Sequence, residues 1–240
     1  MVSLRKGLIC VALFYFSSFV VTAQTIKIGV VDYPPHINFN EELNKSPLIK
    51  YMNSVLLPLN YSFEYVKLPR VRASVELEEG RIDILMPIPV IKKSILMLPL
   101  PLFHATPGLC FKKENFIPIL SATHRFKDLM IGFPVNSSLV FALKDSKANL
   151  IPLMGENAVN RGIELTQRGR FDAFYHPSPV QVYHRNTPEY KEVACSYFHG
   201  YSTPIYVAVA NVQIYKLLNT AYQKALSKQS YEYYFANRDI

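Results

Sequence analysis

The sequence predicts an α/β protein built as two similar lobes, with mostly parallel sheets flanked by helices. Three observations carry this. First, one unit occurs twice. Gly80-Arg81-Ile82-Asp83 and Gly169-Arg170-Phe171-Asp172 each follow a polar, helix-like run (Val75–Glu79 and Glu164–Arg168). Each leads through a short apolar stretch, Ile84–Met86 or Ala173–Tyr175, to a Pro-x-Pro-Val at Pro87–Val90 or Pro177–Val180. Second, strand-like and helix-like runs alternate as β-α-β-α-β, the order that builds a parallel sheet with helices against it. Third, the order restarts after the charged segment Lys112–Asn115. Two lobes of one design leave a cleft between them, and the cleft is where function is expected.

The elements follow in chain order. Ile26–Val31 reads as a buried strand, stopped at Asp32-Tyr33-Pro34-Pro35 because paired prolines cannot continue a ladder. Ser46-Pro47 has the form of an N-cap with proline at the first helical position, for a helix reaching Leu57 before Pro58. Tyr61–Leu68 alternates as a strand, Val71–Glu79 is a helix ended by Gly80, and Ile82–Met86 is a strand. Ala105–Phe111 is a further apolar strand and the crossing to the second lobe. There Met130–Phe133, Leu150–Leu153, Phe171–His176 and Glu192–Tyr197 read as strands. Between them lie a short helix from Ser137 or Ser138 to Lys144, a helix over Glu156–Arg168 and a helical Ser178–Asn186. Pro204–Ala210 is again a strand. Tyr215, Leu218, Tyr222, Ala225 and Leu226 recur at three- and four-residue steps, giving a helix over Val212–Lys228 with one apolar face for core packing.

The first 23 residues have the form of a secretory signal. Arg5 and Lys6 precede an uncharged apolar run from Gly7 to Val21, and Val21-Thr22-Ala23 puts small residues before a mature start at Gln24. The run is shorter than the ~20 residues of a membrane span; an uncleaved anchor is the alternative. Later apolar runs are interrupted by Lys, Arg, Pro or Asn, so the mature chain is expected to be exported and soluble in the periplasm. Its formal charge falls from +8 to +6 when Arg5 and Lys6 leave, because residues 1–23 hold no acid. The basic residues are dispersed, which points away from nucleic acid and towards an anionic ligand or a membrane surface. Cys110 and Cys195 remain. An oxidising compartment permits a bridge between them, but two separate buried thiols in apolar strands is the favoured reading.

Ligands of open α/β sheets bind beyond the carboxyl ends of the strands, so the candidates lie just after the strands rather than in the Gly-Arg-φ-Asp units. Asp83 and Asp172 are expected to hold backbone N–H groups or an arginine, and Gly80 and Gly169 to end helices at positive φ. Tyr33 would stack on a ligand or pack its loop, and His36 would contact a ligand or be solvated. Arg70 and Arg72 follow the second strand, and one of them would grip an anion by a forked hydrogen bond. Asn136, Ser137 and Ser138 sit where a strand runs into a helix start. There they would present hydroxyls and free N–H groups to an anion, or serve as an ordinary cap. The six histidines show no zinc-type spacing, and no phosphate-cradling or nucleophile motif occurs, so no metal or cofactor is expected.

At these residues the chain resembles the small periplasmic solute-binding proteins that serve amino-acid ABC importers, the family 3 binding proteins. The resemblance runs over nearly all of residues 25–236. It is carried by Ile26–Val30 with Tyr33-Pro34-Pro35, Glu79–Asp83, and the Lys92-Lys93 segment leading to Pro101-Leu102-Phe103. It continues through Ile131-Gly132-Phe133 before Asn136-Ser137-Ser138, Gly169–Ala173 and the final helix. It implies a two-lobed type II periplasmic-binding-protein fold with two crossover strands. The first lobe would span residues 24–108 and 204–240, the second residues 109–203. The family's carboxylate-gripping arginine falls on Lys92, its Ser and Thr on Pro87 and Pro89, and its ammonium-binding Asp on Pro177. His176 and Ser178 flank that last position and become candidates in its place. Lysine does not reproduce arginine's bidentate grip, so an α-amino acid is not the expected ligand.

The function expected is therefore capture of a small polar solute, with anionic solutes among the candidates. The protein would be a monomer that delivers the solute to an inner-membrane ABC permease and is not an enzyme. A ligand sensor of the same fold without a transporter is the alternative. A dehydratase-like enzyme, using Glu156 or His176 in acid–base work, ranks below both.

Overall fold

The computed structural model describes residues 25–89, 95–119, 123–135, 137–155, 157–178 and 190–237. The signal segment, Lys92, Asn136, Glu156 and most of the expected helix over Ser178–Asn186 lie outside them. Two sheets organise the chain. The first has the order β2-β1-β3-β11-β4, with β5 also pairing β11. Its strands are β1 (Thr25–Val30), β2 (Ser62–Lys67), β3 (Ile84–Pro89), β4 (Leu96–Met97), β5 (Phe103–Ala105) and β11 (Thr203–Val209). The second has the order β10-β6-β9-β7-β8. It is formed by β6 (Gly108–Lys112), β7 (Met130–Pro134), β8 (Asn149–Leu153), β9 (Ala173–His176) and β10 (Val193–Tyr197).

The helices are α1 (Pro47–Leu56), α2 (Arg70–Glu78), α3 (Phe141–Lys144), α4 (Ala158–Gln167), α5 (Val212–Leu226) and α6 (Tyr231–Ala236). Both sheets are mixed. Strands joined through a helix are parallel, as β2-β1-β3 and β8-β7-β9. Strands entered from the other lobe run antiparallel, as β11 beside β3 and β6 beside β9 and β10. The expected strand over Ala105–Phe111 is two strands, because the chain leaves the first sheet after Ala105 and enters the second at Gly108. Pro107, which cannot donate to a ladder, lies at the break.

Strand alternation divides each core into two layers. Ile26, Ile28, Val30, Ile84 and Met86 face a core shared with α1, α5 and α6, while Leu85 faces the other side with Ala73 and Leu77 of α2, and Ile88 joins that side where the β3–β11 register shifts. In the second sheet Ala173 and Tyr175 face the side of α3 and Phe198, while Phe174 faces Ile163 of α4. Helix α6 was not foreseen. It is capped by Ser230, whose hydroxyl accepts from the Tyr233 N–H at 3.2 Å, and it buries Tyr231 completely.

The repeated unit is one piece of scaffold used twice. Gly80 at φ +68° and Gly169 at φ +66° take the left-handed conformation that ends α2 and α4. The following N–H groups reach back alike, Arg81 to the Glu76 carbonyl at 2.9 Å and Arg170 to the Leu165 carbonyl at 2.8 Å. Each aspartate then clamps the parallel neighbour of its own strand, β1 in the first sheet and β7 in the second. Asp83 accepts from the Lys27 N–H at 2.9 Å and Asp172 from the Met130 N–H at 2.7 Å. Each also donates its own N–H to the carbonyl of the same partner, at 2.9 Å in both lobes. Ile82 packs onto Gly29 of β1 and Phe171 onto Gly132 of β7, so closely that a Cβ at either glycine would collide with the side chain.

One expectation is corrected. Cys110 and Cys195 are joined by a disulfide rather than being two separate thiols. The reason is register: they are directly paired across β6 and β10, with Cα atoms 3.9 Å apart, a separation no linear reading of the chain reveals.

Candidate functional site

Two adjoining cavities of about 290 and 360 Å³ occupy the cleft, and three residues, Arg70, Ser137 and Pro177, line both. The first lobe contributes Asp32 and Tyr33, just beyond β1, and Leu68 to Val71, just beyond β2. The second contributes Pro134, Val135 and Ser137 beyond β7, Leu153 to Gly155 beyond β8, and Tyr175 and Pro177 at the end of β9. The carboxyl ends of both sheets thus converge, as expected for ligand sites in open sheets. The two crossings close the back of the larger cavity, through Ala105 and Pro107 on one and Gly200–Thr203 on the other.

Arg70 and Tyr33 form the polar centre. The Arg70 guanidinium lies over the Tyr33 ring, 5.1 Å from its centroid, and donates through Nη2 to the Asp32 carbonyl at 3.1 Å. Arg70 is itself exposed, so four of its five N–H donors remain for other partners. Burial pushes the Tyr33 phenol up to about 12, and the Arg70 charge acts in the opposite direction. Asp32 is the only carboxylate among the described residues of either cavity; its Oδ1 accepts from the Phe39 N–H at 3.0 Å. Among the described residues Arg70 is likewise the only cation lining the cleft, and Arg72 lines neither cavity. The choice the sequence left open between the two arginines falls on Arg70.

The other expected residues divide. Ser137 and Ser138 line the cleft, but not as a cap. Helix α3 begins at Phe141 behind Val140, and the Ser137 N–H is already bonded to the Pro134 carbonyl at 2.8 Å. The strand-to-helix anion site is therefore corrected to a turn presenting hydroxyls, because the chain needs several more residues before it coils. His36 turns inward. It is buried, stacks on Phe103 at 4.0 Å and bonds Tyr231 through Nδ1 at 2.8 Å, so it belongs to the first-lobe core and lines neither cavity. His176 and Ser178 are also buried and line neither cavity; His176 Nδ1 accepts from the Ser178 N–H at 3.0 Å. Lys92 and Asn136 lie outside the described residues.

Sequence reading passed over Tyr175, whose neighbour it chose instead. Period-two alternation sends His176 away from the cleft and Tyr175 into it. The Tyr175 hydroxyl donates to the Ser138 carbonyl at 2.8 Å, and burial raises its pKa. Phe39, Tyr201, Ser202 and Thr203 were passed over as well, since loop and crossing residues carry no periodicity. No group of three or more His, Cys, Asp or Glu among the described residues could hold a metal ion, and no described helix is long and apolar enough to cross a membrane.

No protein-family model and no curated relative matches the sequence. Many solved structures do match in fold. The substrate-binding protein of an amino-acid ABC transporter aligns with a TM-score of 0.70 at 20% identity, over 88% of this chain and 97% of that one. The GluR0 ligand-binding core in complex with L-glutamate aligns with a TM-score of 0.72 at 18% identity, over 90% and 98%. An ancestral amino-acid-binding protein, a precursor of cyclohexadienyl dehydratase, aligns with a TM-score of 0.70 at 19% identity, over 88% and 93%. At these identities the likeness is one of fold. The chain has the two-lobed type II periplasmic-binding-protein fold.

Proposed function

We propose that this chain is an exported solute-binding protein that captures a small polar, anionic ligand between its lobes and presents it to an ABC importer. The observation that carries the reading is Arg70. It stands at the meeting point of two interlobe cavities, held by Tyr33 and the Asp32 carbonyl, with donors to spare. Hydroxyls of Ser137, Ser138, Ser202 and Thr203 surround the larger cavity and supply further hydrogen bonds. Because each lobe contributes residues, ligand binding favours the closed arrangement, with the crossings at 105–108 and 197–203 as hinge. The fold neighbours that bind amino acids support a binder of small molecules. The transporter partner rests on the substrate-binding protein of an amino-acid ABC transporter among them.

The test is a thermal-denaturation screen of residues 24–240 against organic anions, amino acids and neutral solutes, followed by small-angle scattering for closure. A ligand at a hundred times its dissociation constant adds about 2.7 kcal/mol of stability. Stabilisation by an anion, lost in Arg70→Gln, supports the reading. Stabilisation only by solutes that ignore Arg70 overturns it.

A further inference from the structure

The two cavities differ in chemistry, and the difference names a ligand class. This inference deepens the solute-binding reading and rests on it. The larger cavity is rimmed by hydroxyls, whereas the smaller one has walls of Phe39, Leu68, Val71, Leu153, Met154 and Val159. Arg70 stands where they meet. A second observation points the same way. Val71 is 66% exposed on the first lobe and Met154 is 69% exposed on the second, and both line this one cavity. Large apolar side chains left open in one cavity, one from each lobe and beside Phe39, Leu68, Leu153 and Val159, form an apolar patch suited to an apolar ligand body.

We infer that the ligand is an amphipathic anion, a carboxylate carrying an aryl or alkyl body. The carboxylate is held by the Arg70 fork, and the body is buried among Val71, Met154 and their neighbours. Ligand sites with mostly apolar walls and a few placed polar groups follow this plan. Size permits it. An apolar cavity of about 150 Å³ accepts a benzene ring, and this one has about 290 Å³. Among the described residues lining the cleft, the one carboxylate is Asp32, whose Oδ1 already accepts from the Phe39 N–H at 3.0 Å.

The experiment compares hydrocinnamate with propionate, which lacks the ring, with hydrocinnamyl alcohol, which lacks the charge, and with glutamate, by calorimetric titration of residues 24–240. Hydrocinnamate is expected to bind at least tenfold more tightly than each of the other three. Arg70→Gln should erase the difference between acid and alcohol. Val71→Asp and Met154→Glu, both at exposed positions the fold tolerates, should weaken hydrocinnamate at least tenfold while leaving the melting temperature of the free protein unchanged. If glutamate or propionate binds as tightly as hydrocinnamate, or if the two acidic substitutions have no effect, the inference falls. Should such a hydrophilic anion still require Arg70, the solute-binding reading stands without it. If none of the four probes binds, the inference also falls, and the wider solute screen alone decides the broader reading.

Discussion

The guanidinium of Arg70 sits 5.1 Å above the ring of Tyr33, beyond the ends of two neighbouring parallel strands. Tyr33 follows β1 and Arg70 opens α2 after β2, so adjacent strands deliver them to one spot. Ring and cation fix each other, and an arginine held this way has less freedom to lose when it binds an anion. Arg70→Gln is expected to weaken an anionic ligand roughly ten- to a hundredfold, since hydrogen bonds to a charged group are worth about 1.5–3 kcal/mol. Arg70→Lys should recover only part, because lysine offers no fork. Titration calorimetry measures both, and unchanged affinity in Arg70→Gln would remove this residue from the site.

Alkaline pH should destabilise the fold through buried phenols. Burial raises Tyr33 and Tyr51 from the ordinary value of 10 to about 12. Between these values the unfolded chain releases the phenolic protons and the folded chain keeps them, so ionisation favours unfolding. The contribution is fully present below pH 10 and is lost as pH rises towards 12. Urea midpoints should fall above pH 10, and less steeply in Tyr33→Phe. A midpoint that stays flat through this range would contradict the burial of these groups.

The repeated aspartates should affect stability and not binding. Asp83→Ala and Asp172→Ala each strip an acceptor from a strand N–H, at Lys27 and at Met130. A loss of about 1 kcal/mol is expected from each. Ligand affinity should stay within twofold of the parent, as read by titration, and a larger change would give these residues a part in the cleft.

Close packing of glycine against aromatic rings predicts a larger loss. A Cβ at Gly162 of α4 would meet the Phe174 ring, and one at Gly132 would meet Phe171. Gly162→Ala and Gly132→Ala should cost about 1–3 kcal/mol by overpacking, measured by urea denaturation. Gly162→Ala tests this most sharply, because alanine improves helix propensity and a net loss must come from the collision.

Removing the β6–β10 disulfide by Cys110→Ser with Cys195→Ser should lower stability by about 2–4 kcal/mol, since the bond closes a loop with a sequence separation of 85. The bond lies in the second-lobe core, outside both cavities, so ligand affinity should be unchanged. A melting temperature indifferent to reductant would contradict it.

Much of the fold was legible because its signals are local. Proline at the start of α1, glycine after α2 and α4, and the stripe of α5 each act within a turn or two of the chain. Helix α6 was missed because a single turn and a half shows no period. The site was less legible. The strand-end rule led to Tyr33, Arg70, Ser137 and Ser138, all of which line the cleft. It led also to His36, in the loop beyond β1, and to His176, the last residue of β9, both of which are buried and line neither cavity. One residue of strand or loop separates a cleft-facing side chain from a buried one, as Tyr175 and His176 illustrate.

By itself, then, the sequence determined the alternation of elements, the doubling of the lobe and the scaffold role of Asp83 and Asp172, since each rests on contacts between neighbours in the chain or on a visible repeat. Only the tertiary structure decided that Cys110 meets Cys195, that Arg70 rather than Arg72 enters the cleft, and that Val71 and Met154 line the same cavity. Those facts depend on strand register and on the approach of segments more than eighty residues apart, which side-chain patterning along one chain does not encode.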